Sequence, residues 1–320
     1  MSRVLVTGGN GFIGSHLVDA LAASGKHEVL VLGPRPRPYD ELPADASFVQ
    51  GDVRDANLLG CLLADHEIEF VYHAAWSSIS ETAIRDQTAD IETNLVPLVR
   101  LLDACRDSQV RRVLFLSTGG AVYGLPRTNP VTEEHPTHPI SPYGITKLAA
   151  EKYVRMYREH YGLEYVILRP SVPYGPRQDP NRRQGAVTVF THRALLGEPI
   201  TIWGGGESLR DYFYVGDMVA PLINAMEIPS EGDMTFNLAG ARGYTLLELV
   251  SVLEDVLNVR VRVEHRERRK FDVPRLELDS SAAADRLGWS DRTSLADGIR
   301  KTADWLEGII KKGRRGPAVG

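Results

Sequence analysis

Short apolar runs alternate with amphipathic stretches through the first half of the chain. Arg3 to Thr7 reads as a buried strand, Gly11 to Ser24 as a helix and Glu28 to Leu32 as the next strand. Ser47 to Gln50, Glu69 to Tyr72, Arg112 to Leu116 and Tyr165 to Leu168 are further short β-branched or apolar runs. Helical periodicity lies between them, near Ala56 to Ala64, Ile91 to Cys105 and Tyr143 to Tyr161. This βαβα order predicts an α/β fold with a parallel sheet covered on both faces. After about Arg169 the pattern changes. Pro170, Pro173, Pro176 and Pro180 break it, Gly204-Gly205-Gly206 turns it, and shorter elements lead to a helix expected at Ser294 to Ile309. We expect a sheet domain over residues 1–170, with later segments able to return to it. A smaller lobe over 171–310 should lie on the carboxyl edge of the sheet, followed by a flexible tail over 311–320.

Composition narrows the function classes. The 320 residues can bury a large core without disulfide or metal staples. With 37 Lys plus Arg against 42 Asp plus Glu, the net charge of -5 argues against a dedicated nucleic-acid binder. The only cysteines, Cys61 and Cys105, give no disulfide framework and no zinc spacing, and the lone histidines lack metal spacing. No metal is expected, and a reducing, cytoplasmic setting fits. No apolar run approaches membrane-spanning length, and the run opening at Val4 reads as a first strand rather than a signal peptide.

Candidate chemistry begins at Thr7-Gly8-Gly9-Asn10-Gly11-Phe12-Ile13-Gly14, which follows a strand and opens a helix. Glycines three apart permit a tight turn, bring backbone N–H groups to a pyrophosphate and let the helix lie close to the strand. At the end of the second strand an acidic residue would hold the adenosine ribose 2′-OH and favour NAD. Here Gly33 stands, with Arg35 and Arg37 beyond it, so a 2′-phosphate site and a stiff solvated loop both stay open. Asp52 in Gly51-Asp52-Val53 is placed to contact the adenine. Tyr143-Gly144-Ile145-Thr146-Lys147 sets a tyrosine and a lysine on one helix face, in a helix opened by Ser141-Pro142. An ammonium beside a phenol favours the phenolate, so the pair suits proton transfer next to a hydride-carrying cofactor. Ser117 and Thr118 end a strand at the sheet's carboxyl edge, where one hydroxyl would assist Tyr143 or both would merely tie down Gly119-Gly120.

Read in order, these runs resemble the extended short-chain dehydrogenase/reductase superfamily, in its NAD-dependent nucleotide-sugar epimerase/dehydratase branch. They are most similar to its UDP-glucose 4-epimerase-like members. The similarity spans Val4 to about Trp305, and takes in His73-Ala74-Ala75, Asn94, Leu168-Arg169-Pro170 and Arg210-Asp211-Tyr212 besides the motifs above. It implies a Rossmann-like doubly wound parallel sheet binding NAD, with NADP left open, and a smaller C-terminal α/β substrate-binding lobe. The expected substrate is a nucleoside-diphosphate sugar, most of all a UDP-sugar. By this resemblance Tyr143 takes the proton from the sugar 4-OH while NAD takes the hydride from C4. The 4-keto sugar then turns over, and hydride returns to its other face. Thr118 would be the hydroxyl helper and Lys147 would hold the nicotinamide ribose. The resemblance places cofactor contacts on Gly8, Gly11, Phe12, Ile13 and Gly14, then on Gly33, Arg35, Asp52 and Val53. Ala74, Ala75, Asn94, Ser117 and Pro170 would join Tyr143 and Lys147 around the rest of it. Thr118, Tyr143, Val172, Arg210, Arg269 and Leu276 would meet the substrate, the two arginines at its diphosphate. The run Arg266-Glu267-Arg268-Arg269-Lys270 also reads as a solvated charge cluster.

Two positions depart from the family pattern. Val172 stands where relatives carry Asn, and Leu276 is smaller than an aromatic where bulk at the sugar C2 is limited, which leaves room for an N-acetyl group. A homodimer is expected, built from the helices near Ile91 to Cys105 and Tyr143 to Tyr161. Three other readings compete. A 4,6-dehydratase would need a carboxyl group before Val122-Tyr123-Gly124, where Gly120 and Ala121 stand. An NADP-dependent 4-ketosugar reductase is kept open by Gly33 and Arg35. A catalytically silent NAD(P)-sensing protein would not need Tyr143, Lys147 and Thr118 intact.

Overall fold

The computed structural model describes residues 1–37, 40–181, 185–269 and 273–311. The tail expected beyond Lys311 lies outside them. Six strands fall on the apolar runs: β1 (Ser2–Thr7), β2 (His27–Gly33), β3 (Ala46–Gln50), β4 (Phe70–His73), β5 (Arg112–Leu116) and β6 (Glu164–Pro170). They pair in parallel, and β5 is buried along its whole length, as a central strand covered on both faces must be. The crossovers carry α1 (Phe12–Ala23), α2 (Ala56–Asp65), α3 (Ser80–Arg85), α4 (Gln87–Asp90), α5 (Val96–Asp107), α6 (Gly119–Val122) and α7 (Pro142–Tyr161).

The expected helix from Ile91 to Cys105 is not continuous. A π-helical turn occupies Ile91–Leu95 before α5 begins. Pro97 has no N–H to offer the preceding turn, and Thr93 and Asn94 turn their side chains back onto the carbonyls of Ala89 (2.6 Å) and Asp90 (3.0 Å). Both effects loosen the ladder there, and such turns recur at functional sites.

Beyond β6 the chain leaves the sheet. It forms β7 (Val172–Tyr174), α8 (Ala186–Leu195), β8 (Ile200–Trp203), β9 (Leu209–Arg210) and β10 (Tyr212–Tyr214). It then returns. α9 (Val219–Asn224) leads into β11 (Thr235–Leu238), which pairs in parallel with β6 and completes a seven-stranded sheet of order β11-β6-β5-β4-β1-β2-β3. A second excursion carries β12 (Tyr244–Thr245), α10 (Leu246–Leu257), β13 (Val263–Arg266) and β14 (Arg275–Leu276). α11 (Ser281–Leu287) rejoins the sheet domain, and α12 (Leu295–Lys311) closes the lobe. The lobe has its own core, with Val187, Phe190, Ile202, Leu249, Leu253 and Ile299 buried where α8, α10 and α12 meet. Met218, Leu222, Phe236 and Leu287 belong instead to the main core. The chain thus leaves the sheet after β6, and two later stretches, around β11 and α11, pack back onto it. Among the described residues no helix is long and apolar enough to cross a membrane, and no cluster of side chains could hold a metal ion.

Candidate functional site

The glycine loop turns from β1 into α1. Gly8 has φ +74, and a Cβ there would stand 2.7 Å from the Ala75 amide nitrogen. A Cβ on Gly14 would stand 2.3 Å from the Gly8 carbonyl. Only glycine lets the loop, α1 and the Ala74-Ala75 segment close together this tightly. Gly11 caps α1 without a side-chain hydrogen bond, and no acidic residue occupies the first turn, where Phe12 and Ile13 stand. The N-terminal amides of α1 thus keep their donors for an anion, and these features fit a dinucleotide pyrophosphate.

The adenosine end departs from expectation in two places. Arg37 is not available to a 2′-phosphate. Its side chain is 2% exposed, bonds Asp19 of α1 at 2.6 Å and donates to the Ser15 carbonyl at 3.0 Å, so its charge is already matched. Arg35 remains exposed beyond the buried Gly33. Arg177, from the loop after β7, pairs with Asp19 and with Asp40 at 2.6 Å each and ties the lobe's entry to this wall. Asp52 lies two residues past the end of β3, and Arg54 holds its carboxylate through the backbone (2.9 Å) and the guanidinium (2.6 Å), which lowers its proton affinity. Val53 packs against the core.

At the carboxyl edge the structure brings Ser117, Thr118, Tyr143 and Lys147 together. Ser141 accepts from the Gly144 amide at 3.2 Å and starts α7, as Ser141-Pro142 predicts. Thr118 does not cap α6; its hydroxyl lies toward Tyr143 and acts to lower that phenol's proton affinity. Ser117 turns the other way and donates to Glu151. The Tyr–Lys electrostatics differ from expectation. Lys147 donates to the Leu116 carbonyl at 2.6 Å and rests on the rings of Trp76 (3.7 Å) and Phe115 (4.8 Å). Burial pushes the Tyr143 phenol up to about 12, against a smaller lowering from Thr118, and no lowering by Lys147 is resolved. Burial likewise lowers Lys147 to about 7, opposed by the charges of Glu151 and Asp90. The ammonium is drawn to the strand-end carbonyl and the ring faces, and desolvation dominates at both groups.

Glu151 was not singled out beforehand, nor were the buried partners of Arg169 and His73, whereas Asn94 and Pro170 were expected at the cofactor. Glu151 is fully buried, pairs with Arg169 at 2.6 Å, and stands one and two helical turns beyond Lys147 and Tyr143 on α7. Arg169 also donates to the Tyr123 hydroxyl at 2.8 Å, and Tyr123 donates to Asn237 at 2.7 Å. His73 is buried, pairs with Thr7 at 2.8 Å, and is held near 3 by burial and by repulsion from Lys147. Asn94 accepts from the Ser77 amide at 2.8 Å and donates to Asp90 at 3.0 Å. Glu151 repeats the four-residue spacing of Tyr143 and Lys147, and that repetition was the signal available. Pro170 ends β6 beside Leu238 of β11.

On the lobe side, Arg210 and Leu276 are register partners across β9 and β14. Arg210 donates to the carbonyls of Leu209 and Val273, each at 2.7 Å. Leu276 is only 1% exposed, in an apolar cluster with Val122, Tyr123 and Val131, so it does not line an open space. Val172 packs at the edge of the lobe core, and Arg269 lies over the exposed ring of Trp203 at 5.5 Å. The expected substrate contacts fall on different elements: Thr118 and Tyr143 at the sheet edge, Arg210 and Leu276 on paired strands whose Leu276 packs against Val122 and Tyr123, and Arg269 at Trp203. Asp211 is buried, accepts the Leu278 amide at 2.8 Å through one oxygen and has no partner on the other; burial raises it to about 7.

The sequence profile of the NAD dependent epimerase/dehydratase family matches residues 4–239. Over 310 residues, 95% of this chain and 98% of the relative, the chain is 37% identical to a UDP-glucose 4-epimerase of Mycolicibacterium smegmatis. Its fold superposes on the UDP-glucose 4-epimerase of Thermotoga maritima, solved with UDP-glucose, with a TM-score of 0.91 and 35% identity, covering 96% of this chain and 99% of that one. The UDP-glucuronic acid 4-epimerase of Bacillus cereus, solved with UDP-glucuronic acid and NAD, is similar at a TM-score of 0.87 and 28% identity, over 96% and 99% of the two chains.

Proposed function

Since this chain belongs to the NAD dependent epimerase/dehydratase family, we propose that it is a nucleotide-sugar 4-epimerase acting on a UDP-hexose or its uronate or N-acetyl analogue. One observation supports the reading most: Tyr143 and Lys147 stand one turn apart on α7, with Thr118 toward Tyr143 and Lys147 bonded to the Leu116 carbonyl that ends β5. Bound NAD supplies the acceptor and later the donor of hydride at the sugar C4. Tyr143 takes the proton of the 4-OH and returns it. Thr118 bonds the same oxygen and offsets part of the cost of charge on the phenol. Lys147 holds the nicotinamide ribose. Gly8, Gly11, Gly14 and the start of α1 hold the pyrophosphate, with Asp52 and Val53 at the adenine and Arg210 and Arg269 at the sugar diphosphate. An NADP-dependent ketosugar reductase keeps Gly33 and the exposed Arg35 in its favour, but not Arg37, whose charge is matched by Asp19.

We also propose a cytoplasmic homodimer. Ile91 in the π-helical turn, Val96 at the start of α5, and Ile145 and Tyr153 on α7 leave apolar surface exposed where a second copy would pack, and Ile145→Glu should yield a monomer by sedimentation. The function is tested by NMR of the purified protein with UDP-glucose, UDP-GlcNAc and UDP-glucuronate, with no cofactor added. Appearance of a C4 epimer supports the reading and names the sugar. No change in any of the three, even with NAD supplied, would sink it.

A further inference from the structure

Asp90 is a carboxylate that the chemistry above does not use. It ends α4, is 2% exposed, and one of its oxygens has no hydrogen-bond partner. The other oxygen accepts from the Ser78 hydroxyl and from Asn94 at 3.0 Å. Ser78 in turn accepts the Trp76 indole N–H at 3.1 Å. The face of that indole stands 3.7 Å from the Lys147 ammonium. Carboxylate, hydroxyl, indole and ammonium thus form one connected line from α4 to α7, and these helices pack together.

A buried carboxylate with a vacant oxygen is costly unless an opposite charge compensates it. Lys147 is the cation whose charge it meets. Hydrogen bonds in series strengthen one another, so an anion bound to Ser78 makes that oxygen a better acceptor for the indole. An indole whose N–H is held in this way presents a fixed, electron-rich face to a cation. The plainer reading is that Asp90 only anchors Asn94 in the π-helical turn. That reading explains the Asn94 bonds to Asp90 and to the Ser78 hydroxyl (3.2 Å), but not the Trp76 indole that joins Ser78 to Lys147.

We propose that Asp90, Ser78 and Trp76 form a positioning relay that seats the Lys147 ammonium beside Tyr143. The relay deepens the epimerase reading and rests on it for its catalytic consequence, but its existence is testable without turnover. The charged groups facing Lys147 are Glu151 on α7, itself matched by Arg169, Asp90 on α4, and the neutral His73 on β4. Tyr143 faces Asp90 and Thr118.

The full-length protein is labelled with 15N at its tryptophan indoles, and the Trp76 signal is assigned by its loss in Trp76→Phe. The relay requires that this signal shift with pH as Lys147 titrates, and that the shift vanish in Lys147→Met. Ser78→Ala and Asp90→Asn should each displace the signal, and Ser78→Thr should restore it. A Trp76 signal indifferent to Ser78→Ala and to pH overturns the relay whatever the enzyme does. Turnover then reads the consequence. The Asp90 charge raises the proton affinity of both Tyr143 and Lys147, so Asp90→Asn should move the whole kcat/KM window to lower pH, by about one unit. Reduced activity in an unmoved window would make Asp90 a packing group and end the proposal. If Asp90→Asn does not fold, Ser78→Ala decides through the indole signal. An intact relay in a protein that epimerises no sugar would count against the proposed function, not against the relay.

Discussion

Ser117 and Thr118 are adjacent hydroxyls with different partners. Thr118 meets Tyr143, whereas Ser117 is committed to Glu151 beneath the site. Thr118→Ala should therefore lower kcat by about 10–100-fold with little change in KM, and Thr118→Ser should retain most activity. Ser117→Ala should act mainly on stability, by about 1 kcal/mol in denaturant titration. The sequence alone could not separate these two, because one residue of slippage at a strand end exchanges their faces. Asp211 yields a pH prediction. Its folded proton affinity is raised to about 7 by burial, so the folded state holds a proton that the unfolded chain releases near the ordinary carboxylate range. That contribution to stability is complete below pH ~4 and is lost as pH rises to ~7. Asp211→Asn should remove this part of the slope and be relatively more stable than the parent above pH 7, measured as the difference in unfolding free energy across that range. An unchanged slope would show that the group stays ionised.

On α7, Tyr143, Lys147 and Glu151 occupy one face at successive turns. The first two were legible because helical spacing alone relates them. Glu151 acquires its meaning from Arg169, which arrives from β6, and such a contact leaves no local period in the sequence. Removing one partner leaves a buried charge unmatched. Glu151→Ala should cost about 3–5 kcal/mol, and the pair Glu151→Leu with Arg169→Met should recover much of it in chemical denaturation. The glycine loop was legible for the opposite reason, since its geometry admits almost no other residue. Gly14→Ala would press a methyl group against the Gly8 carbonyl at 2.3 Å, so the purified variant should carry little or no dinucleotide by absorbance and mass spectrometry. The π-helical turn was not legible. It depends on Pro97 and on which way Thr93 and Asn94 turn, and an apolar period passes straight through it.

For the whole molecule, the parallel sheet and its order of elements could be read from alternating apolar runs, and the pattern changes after Arg169, where the chain leaves the sheet. What could not be read was the return of β11. Its four residues, Thr235 to Leu238, are all buried, and so short a run has no distinguishing period. A fragment of residues 1–170 leaves the β6 edge open and lacks the cover of α9 and α11. It should show no cooperative melting transition, whereas the full chain should. The position of β11 also fixes a sequence of events in time. At about 5–20 residues per second, the ribosome needs roughly 3–13 seconds to make the stretch between β6 and β11. Throughout that interval the nascent chain displays an unpaired edge beside a nearly finished sheet, the kind of surface that other chains can pair with. Whatever shields that edge during synthesis bears on how much enzyme a cell obtains, independently of how well the finished site works.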